Sequence, residues 1–392
     1  MNAALDLAQI AHRFPLIPRP RPAYPPLPDR IDDVRTLART AGEGGSVLLS
    51  QAVQAMNKAA LIASDCGRPD LARTWCRRQF DLFLRARPLN AKEARYALEP
   101  AVNLARLAIR AGDADGAYHL LEDLFHAVAD RGNAIIDDTP VSFRDLTTSD
   151  TEHRNVVQWL WGVFLAEGAR ALISAGRWQQ AAKHSERHHG VGRRLLDGRQ
   201  AAIVSRCLAQ QPKDAQALLD DSTPSEPWER LVARALDVLC LRACAQPADT
   251  KIAAMRQRYL DLEPADELVV FHTRLGLTVL DLAGGPGQPD TAPIAARLVS
   301  DVLTAGDGYA ARDLLSYQAC RLALTDADEQ RLTAAVEAAG LGSDGIPEPL
   351  AGDLHAAVQQ SEAGIAAHFG ARLRPAAPPF TSGQPFAGSR TV

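Results

Sequence analysis

The sequence has few aromatic residues and no long apolar run. Phe, Trp and Tyr make up 5% of its 392 residues, whereas hydrophobic residues make up 46% and include many Ala and Leu. This composition favours close-packed helices over sheets, because β-strands are enriched in aromatic and β-branched residues. No stretch of about 18 consecutive apolar residues is present, so no membrane span is expected.

Cysteine pairs with the spacing of zinc or redox sites are also missing. The six cysteines are scattered along the chain, at positions 66, 76, 207, 240, 244 and 320. None of them forms a Cys-x-x-Cys motif, so neither a zinc ribbon nor a thioredoxin-type site is indicated. We expect buried, reduced thiols in a cytoplasmic protein. The N-terminus lacks the basic and apolar segments of a signal peptide, which favours the same location.

Several kinds of functional site lack support in the sequence. The net charge is −4, from 43 basic and 47 acidic residues, which gives no general attraction to nucleic acid or acidic lipid. The glycine-rich segment at 284–287 lacks the Lys-Ser/Thr ending of a phosphate-binding loop. Gly-x-Ser-x-Gly and His-Glu-x-x-His motifs are absent as well. We therefore predict no cofactor, no metal and no catalytic residue.

The sequence does contain one short pattern three times. A helical segment with small residues is followed by a turn glycine and, five residues later, by an alanine that opens a second helix. The copies span 56–72, 102–117 and 166–181, with turn glycines Gly67, Gly112 and Gly176. Two helices approach closely only where their facing side chains are small. The pattern therefore predicts an all-α solenoid of antiparallel helical hairpins, a scaffold that usually presents a concave surface.

Four regions follow from this pattern. Residues 1–30 form a short helix and a strap with seven prolines between 14 and 28; proline excludes helix and central strand, so the strap is extended. It is either a proline-rich ligand for a partner or a segment held along the solenoid by Phe14, Ile17, Tyr24 and Leu27. Helical repeats occupy 31–222, interrupted by a polar loop at 132–151, and continue through 223–372. Residues 373–392 form a disordered tail.

The three hairpins resemble tetratricopeptide (TPR) repeats. That family places small residues at the helix crossing, glycine at the turn and alanine early in the second helix. The matching positions are Ala60, Gly67 and Ala72; Ala105, Gly112 and Ala117; and Ala169, Gly176 and Ala181. The TPR period is 34 residues, whereas the turn glycines here are 45 and 64 residues apart. The chain thus looks like a degenerate TPR-like solenoid.

The chain also resembles the helical arrays of actinobacterial helix-turn-helix regulators. Its Ala/Arg/Asp/Leu-rich, Lys-poor composition fits a high-GC genome. The region before residue 46 is mostly proline-rich and cannot form a helical DNA-binding head. The resemblance implies a freestanding sensor or partner-binding solenoid.

In a TPR-like hairpin, the first helix lines the concave face. On that logic, six polar residues are candidates to line a ligand-binding groove: Asn57, Asn103, Arg106, Arg110, Glu167 and Arg170. Residues 103, 106 and 110 share one helix face. Arginine offers two parallel donors and asparagine a neutral donor, which suits a carboxylate or phosphate.

We therefore predict a non-enzymatic binding protein whose partner is a protein, a peptide or an anionic small molecule. One alternative is an atypical all-α enzyme of bacterial specialised metabolism with acid–base groups drawn from Glu167, His153, His184 and His272. A second is a regulator that touches nucleic acid through the basic stretch Arg187–Arg199. His184 and His188, four residues apart, could share a metal ion, but their cationic neighbours indicate a solvated helix end. The ligand, the oligomeric state and the pathway stay open.

Overall fold

The computed structural model describes residues 7–21, 24–41, 46–321 and 324–375. In these residues the chain forms eighteen α-helices and one two-stranded sheet. The first nine helices are α1 (Leu7–Ala11), α2 (Leu27–Ala41), α3 (Ser46–Asp65), α4 (Pro69–Arg85), α5 (Ala91–Arg110), α6 (Ala114–Ala129), α7 (Asp150–Ser174), α8 (Trp178–Arg187) and α9 (Asp197–Leu208). The others are α10 (Pro212–Asp220), α11 (Pro227–Ala243), α12 (Asp249–Leu260), α13 (Val269–Leu282), α14 (Ala292–Ala305), α15 (Gly308–Ser316), α16 (Gln318–Arg321), α17 (Asp326–Ala338) and α18 (Glu348–Phe369).

The helices stack as successive hairpins in two layers. From α2 to α15, each helix packs against the next one in the chain. Each odd-numbered helix from α3 to α15 also contacts the following odd-numbered helix, so these helices form a continuous wall. The predicted all-α, solenoid-like architecture is confirmed.

The three repeated patterns form helical hairpins. Gly67, Gly112 and Gly176 have φ values of 71°, 83° and 72°, which L-residues with a side chain rarely adopt. The matched alanines are all buried, namely Ala60, Ala72, Ala105, Ala117, Ala169 and Ala181. Glycine therefore permits each turn, and alanine permits the close approach of the two helices.

The proline-rich strap lies against the inner side of the solenoid. Phe14 is 2% exposed, and the backbone of Leu16 forms hydrogen bonds in both directions with the buried Gln200 side chain, at 2.7 and 3.0 Å. The strap is shorter than expected, because α2 already begins at Leu27. Pro28 is tolerated there, since the first turn of a helix needs no N–H donor from that position.

The polar segment at 132–151 is partly regular, contrary to the loop expected from its composition. Strand β1 (Asn133–Ile136) pairs antiparallel with β2 (Thr139–Ser142). Asp137 and Asp138 connect the strands with φ values of 52° and 61°. Positive φ at both central residues defines a tight hairpin turn, for which aspartate is among the tolerated residues. Polar composition alone did not distinguish this hairpin from a loop.

The end of the chain returns to its beginning. Helix α18 packs against α2, α3 and α4. At the turn between α3 and α4, the backbone of Ser343 approaches so closely that a Cβ added to Gly67 would lie 2.4 Å from its carbonyl oxygen. The solenoid therefore closes on itself, which repeat spacing does not predict.

The most apolar helix, the cysteines and the C-terminal tail were also the subject of predictions. Helix α7 is long and apolar enough to cross a membrane, but half of its most apolar segment is buried inside the protein. The cysteines are free thiols, and all except the partly buried Cys244 are buried. Residues 376–392, most of the tail predicted to be disordered, lie outside the described residues.

Candidate functional site

A groove of about 690 Å³ opens between α3, α5 and α7; we call it the interior groove. Asn57, Asn103, Arg106 and Arg110 line it. Its other wall residues are largely apolar and include Val53, Leu61, Val102, Leu107, Trp159 and Val163. Apart from Cys76 of α4, the lining comes from the odd-numbered helices α3, α5 and α7, which are the first helices of their hairpins.

Polar side chains at this groove form one hydrogen-bonded chain. Asn57 Nδ2 donates to Glu99 Oε2 at 3.1 Å, and Asn103 Nδ2 donates to Asn57 Oδ1 at 3.2 Å. Arg106 Nη1 donates to Asn103 Oδ1 at 3.0 Å, and its Nη2 donates to Glu167 Oε1 at 2.7 Å. These hydrogen bonds therefore connect the three adjacent helices α3, α5 and α7.

Glu167 anchors the arginines from inside the wall. It is 3% exposed, whereas the side chain of Arg106 is 46% exposed and that of Arg170 is 52% exposed. Burial by itself would raise the pKa of Glu167, but Arg106 and Arg170 lower it below its usual value. Glu167 is therefore ionised at neutral pH and acts as a support for the guanidinium groups.

Glu99 belongs to this hydrogen-bonded series of side chains, although the sequence pattern did not single it out. Burial raises its pKa, although the hydrogen bond from Asn57 and the charge of Arg106 act in the opposite direction. Its position was readable, because Glu99 precedes Asn103 by four residues and therefore lies on the same face of α5.

Arg110 belongs to a different network. Its Nη1 donates to Asp65 Oδ1 at 2.9 Å, and its Nη2 donates to Tyr309 Oη at 3.1 Å. Asp65 ends α3 and Tyr309 lies in α15, so this network forms where the solenoid closes. Of the six groove candidates, five thus form one chain of contacts, and Arg110 lies beside it at the closure.

The four candidate acid–base residues lie in four separate environments. Glu167 binds Arg106, and His153 Nε2 contacts the carbonyl oxygen of Ala129 at 3.2 Å. His184 Nε2 contacts the carbonyl oxygen of Phe164 at 3.1 Å. His272 is buried in the C-terminal core, where its carbonyl accepts from a tyrosine hydroxyl. These contacts favour structural roles.

The two spaced histidines lie in an aromatic environment and not at the solvated helix end expected from the sequence, since His184 is 3% exposed. The rings of His184 and His188 are 5.0 Å apart, and both contact Phe164. Burial, together with the proximity of His188, lowers the pKa of His184 to about 4. Within the described ranges, no group of three or more His, Cys, Asp or Glu residues is placed to hold a metal ion.

Much of the basic stretch Arg187–Arg199 is engaged within the protein. Arg194 forms an ion pair with the fully buried Glu229. Arg199 is itself 4% exposed and donates to the carbonyl oxygens of Gly192 and Leu218, at 2.9 and 2.6 Å. Arg193 contacts Asp221 at 2.8 Å. These contacts leave less free cationic surface than the sequence suggests.

No family model matches the chain, and no curated protein matches it. A solved structure described as a "circular tandem repeat protein with novel repeat topology and enhanced subunit contact surfaces" is 16% identical to it. The match covers 88% of each chain, with a TM-score of 0.21. The fold described above therefore stands on the helices and contacts of this chain alone.

Proposed function

We propose that the protein is a non-enzymatic binding protein and that its ligand occupies the interior groove. The observation that carries the proposal is the chain Glu99–Asn57–Asn103–Arg106–Glu167 along an open groove with apolar walls. Paired helices that stack into a curved wall commonly bind partners on their inner surface.

The unused hydrogen-bond donors of these linked side chains favour a ligand with acceptor groups. Each asparagine amide carries two N–H donors, and a guanidinium carries five. One donor of each asparagine and three of Arg106 are used within the chain. The carboxylates of Glu99 and Glu167 already accept these bonds. The unused donors suit a carboxylate or a peptide carbonyl.

The walls and volume narrow the ligand further. Cavities of about 300–1,000 Å³ that combine apolar walls with a few placed polar groups are typical of small-molecule sites. An amphipathic small carboxylic acid, or a peptide with a free carboxylate beside an apolar side chain, would match both the polar side chains and the apolar walls of the groove. A small carboxylic acid would make this TPR-like protein a cytoplasmic sensor, similar to the helical arrays of actinobacterial regulators. A peptide ligand would make it an adaptor.

A binding screen tests this proposal. The purified protein is screened against peptides with free C-termini and against small carboxylic acids, and the best ligand is titrated by calorimetry. We expect Asn103→Leu to lower the affinity for that ligand, because it removes the amide at the centre of the hydrogen-bonded series from Glu99 to Glu167. Asn133→Leu, at an exposed position in β1, is the matched control and keeps the affinity.

Two results would overturn the proposal. Equal binding to wild type and Asn103→Leu would place the ligand outside the groove. Conversion of the ligand to a product by the purified protein would favour the enzymatic alternative.

A further inference from the structure

A second cavity lies inside the solenoid, beyond the interior groove. Its volume is about 760 Å³, and it is bounded by the N-terminal segment from Gln9 to Arg21 and by α7, α13 and α15. We call it the strap chamber. Arg110 lines both cavities.

Seven arginines line the strap chamber, and three of them, Arg13, Arg21 and Arg110, pair with Asp281, Asp307 and Asp65. The other four come from four parts of the chain: Arg19 of the strap, Arg170 of α7, Arg274 of α13 and Arg312 of α15. Partial desolvation lowers the pKa of Arg170, whose side chain is half exposed, and the nearby charges of Arg19, Arg106 and Arg274 lower it further, against the opposing effect of Glu167. Like charges gathered around one cavity repel one another, and an anion bound in the cavity relieves the repulsion.

Three carboxylates compensate part of this positive charge. Glu167 lies 3.5 Å from Arg170 but is only 4% exposed on its side chain. Asp197 contacts Arg19 at 3.1 Å, and Asp313 contacts Arg274 at 2.9 Å. Each contact engages part of a guanidinium that has five donors, so further donors remain for a ligand.

Arg312 is the most available of the four. Its guanidinium lies 4.8 Å from the ring centroid of Tyr309, which supports it by a cation–π contact. Across the described part of the chain, no carboxylate lies within ion-pair distance of it. The remaining acidic residue of the lining, Glu267, is exposed, and its backbone carbonyl accepts from the amide of Arg21 at 3.1 Å.

We propose that the strap chamber is a second binding site and that it takes a small organic molecule with several phosphate or carboxylate groups. The arginines supply charge-assisted, two-pronged hydrogen bonds to its anionic groups. Ile173, Phe271 and Leu277 line the same chamber and offer apolar surface to the rest of the molecule. Arg19 brings the strap into the site, so the bound anion joins the strap to α7, α13 and α15.

Calorimetric titration of the full chain tests the site, with pyrophosphate and citrate as probes at low ionic strength. We expect at least one probe to bind, and we expect Arg170→Gln and Arg312→Gln each to weaken it by about tenfold or more, the loss that follows from removing a charge-assisted hydrogen bond. A preference for pyrophosphate or for citrate distinguishes a phosphate ligand from a carboxylate ligand.

Arg331→Gln is the matched control, because it removes the same charge from an exposed position in α17. It should keep the affinity of the wild type, and thermal unfolding of all three variants checks that they are folded. Failure of both probes to bind at millimolar concentration would overturn the proposal, as would an equal loss in Arg331→Gln. Asn103→Leu separates the two sites, since it should weaken the groove ligand and leave the probe affinity unchanged.

Discussion

The hydroxyl of Tyr309 donates a 2.7 Å hydrogen bond to Asp65 Oδ1, across 244 residues of sequence. The same carboxylate, 1% exposed, accepts from Arg110 and from Arg30, both at 2.9 Å, and from the hydroxyl of Tyr24. These donors come from the strap, α2, α5 and α15. One buried carboxylate therefore joins the two ends of the solenoid.

Removal of this carboxylate should destabilise the protein strongly. In Asp65→Ala, the buried guanidinium of Arg30 loses its ion-pair partner, while burial continues to disfavour its charge. Breaking one side of a buried ion pair typically costs about 3–5 kcal/mol. Denaturant unfolding followed by circular dichroism measures the loss. Asp33→Ala removes an exposed ion pair with Lys58 and should change stability by less than about 1 kcal/mol; equal losses would contradict the role of Asp65.

Arg106→Ala should weaken an anionic ligand of the interior groove by about 1.5–3 kcal/mol, the range for charge-assisted hydrogen bonds. Glu167 keeps Arg170 as a partner in this variant, so the fold should persist. Calorimetry with the ligand from the screen gives the affinity. Arg35→Ala, which alters exposed ion pairs with Asp32 and Asp353, is the control. An unchanged affinity in Arg106→Ala would remove this arginine from the site.

Stability should fall with acidification because of His184. Burial and the neighbouring His188 lower its pKa to about 4, from 6.5. In the unfolded chain it takes up a proton near its ordinary pKa, whereas in the folded chain it resists protonation until about pH 4. Its contribution is thus fully present at neutral pH and is lost as the pH falls through this interval, by about 3 kcal/mol in total.

Denaturant unfolding measures this effect in wild type and in His184→Gln. The pH is varied from 7 to 4.5, a range in which the protein should still be folded. The variant should show a shallower loss of unfolding free energy with falling pH. His119→Gln, which replaces an exposed histidine of α6, should keep the slope of the wild type. Identical slopes in wild type and His184→Gln would show that another group causes the dependence.

A glycine in the turn of the β-hairpin should stabilise the protein. Asp138 has a φ of 61° and a side chain that is 96% exposed. Glycine at this position removes the strain of positive φ and creates the Asp-Gly pair that suits such turns. We expect Asp138→Gly to stabilise the protein by about 0.5–1 kcal/mol and Asp138→Ala to destabilise it. Thermal unfolding compares the two, and a gain in Asp138→Ala would argue against backbone strain.

The candidate site was partly readable because it lies on regular helices. The i, i+3, i+7 spacing of Asn103, Arg106 and Arg110 places them on one face of α5, and the structure places all three along the interior groove. That spacing could not separate Arg110, which binds Asp65, from Arg106, which binds Glu167. The partners come from other helices, and their relative positions depend on packing.

The sequence by itself determined the helical hairpins, because turn glycines with positive φ and alanines at helix crossings act over a few residues. Local patterns also located most helices, whereas proline and aspartate content misled where α2 begins and where the β-hairpin forms. Only the tertiary structure decided that α18 packs against α2 to α4, that Asp65 meets Tyr309, and that Arg19 and Arg312 face one chamber. These relationships join residues far apart in the chain, and they depend on the summed rotation from hairpin to hairpin, which no local spacing encodes.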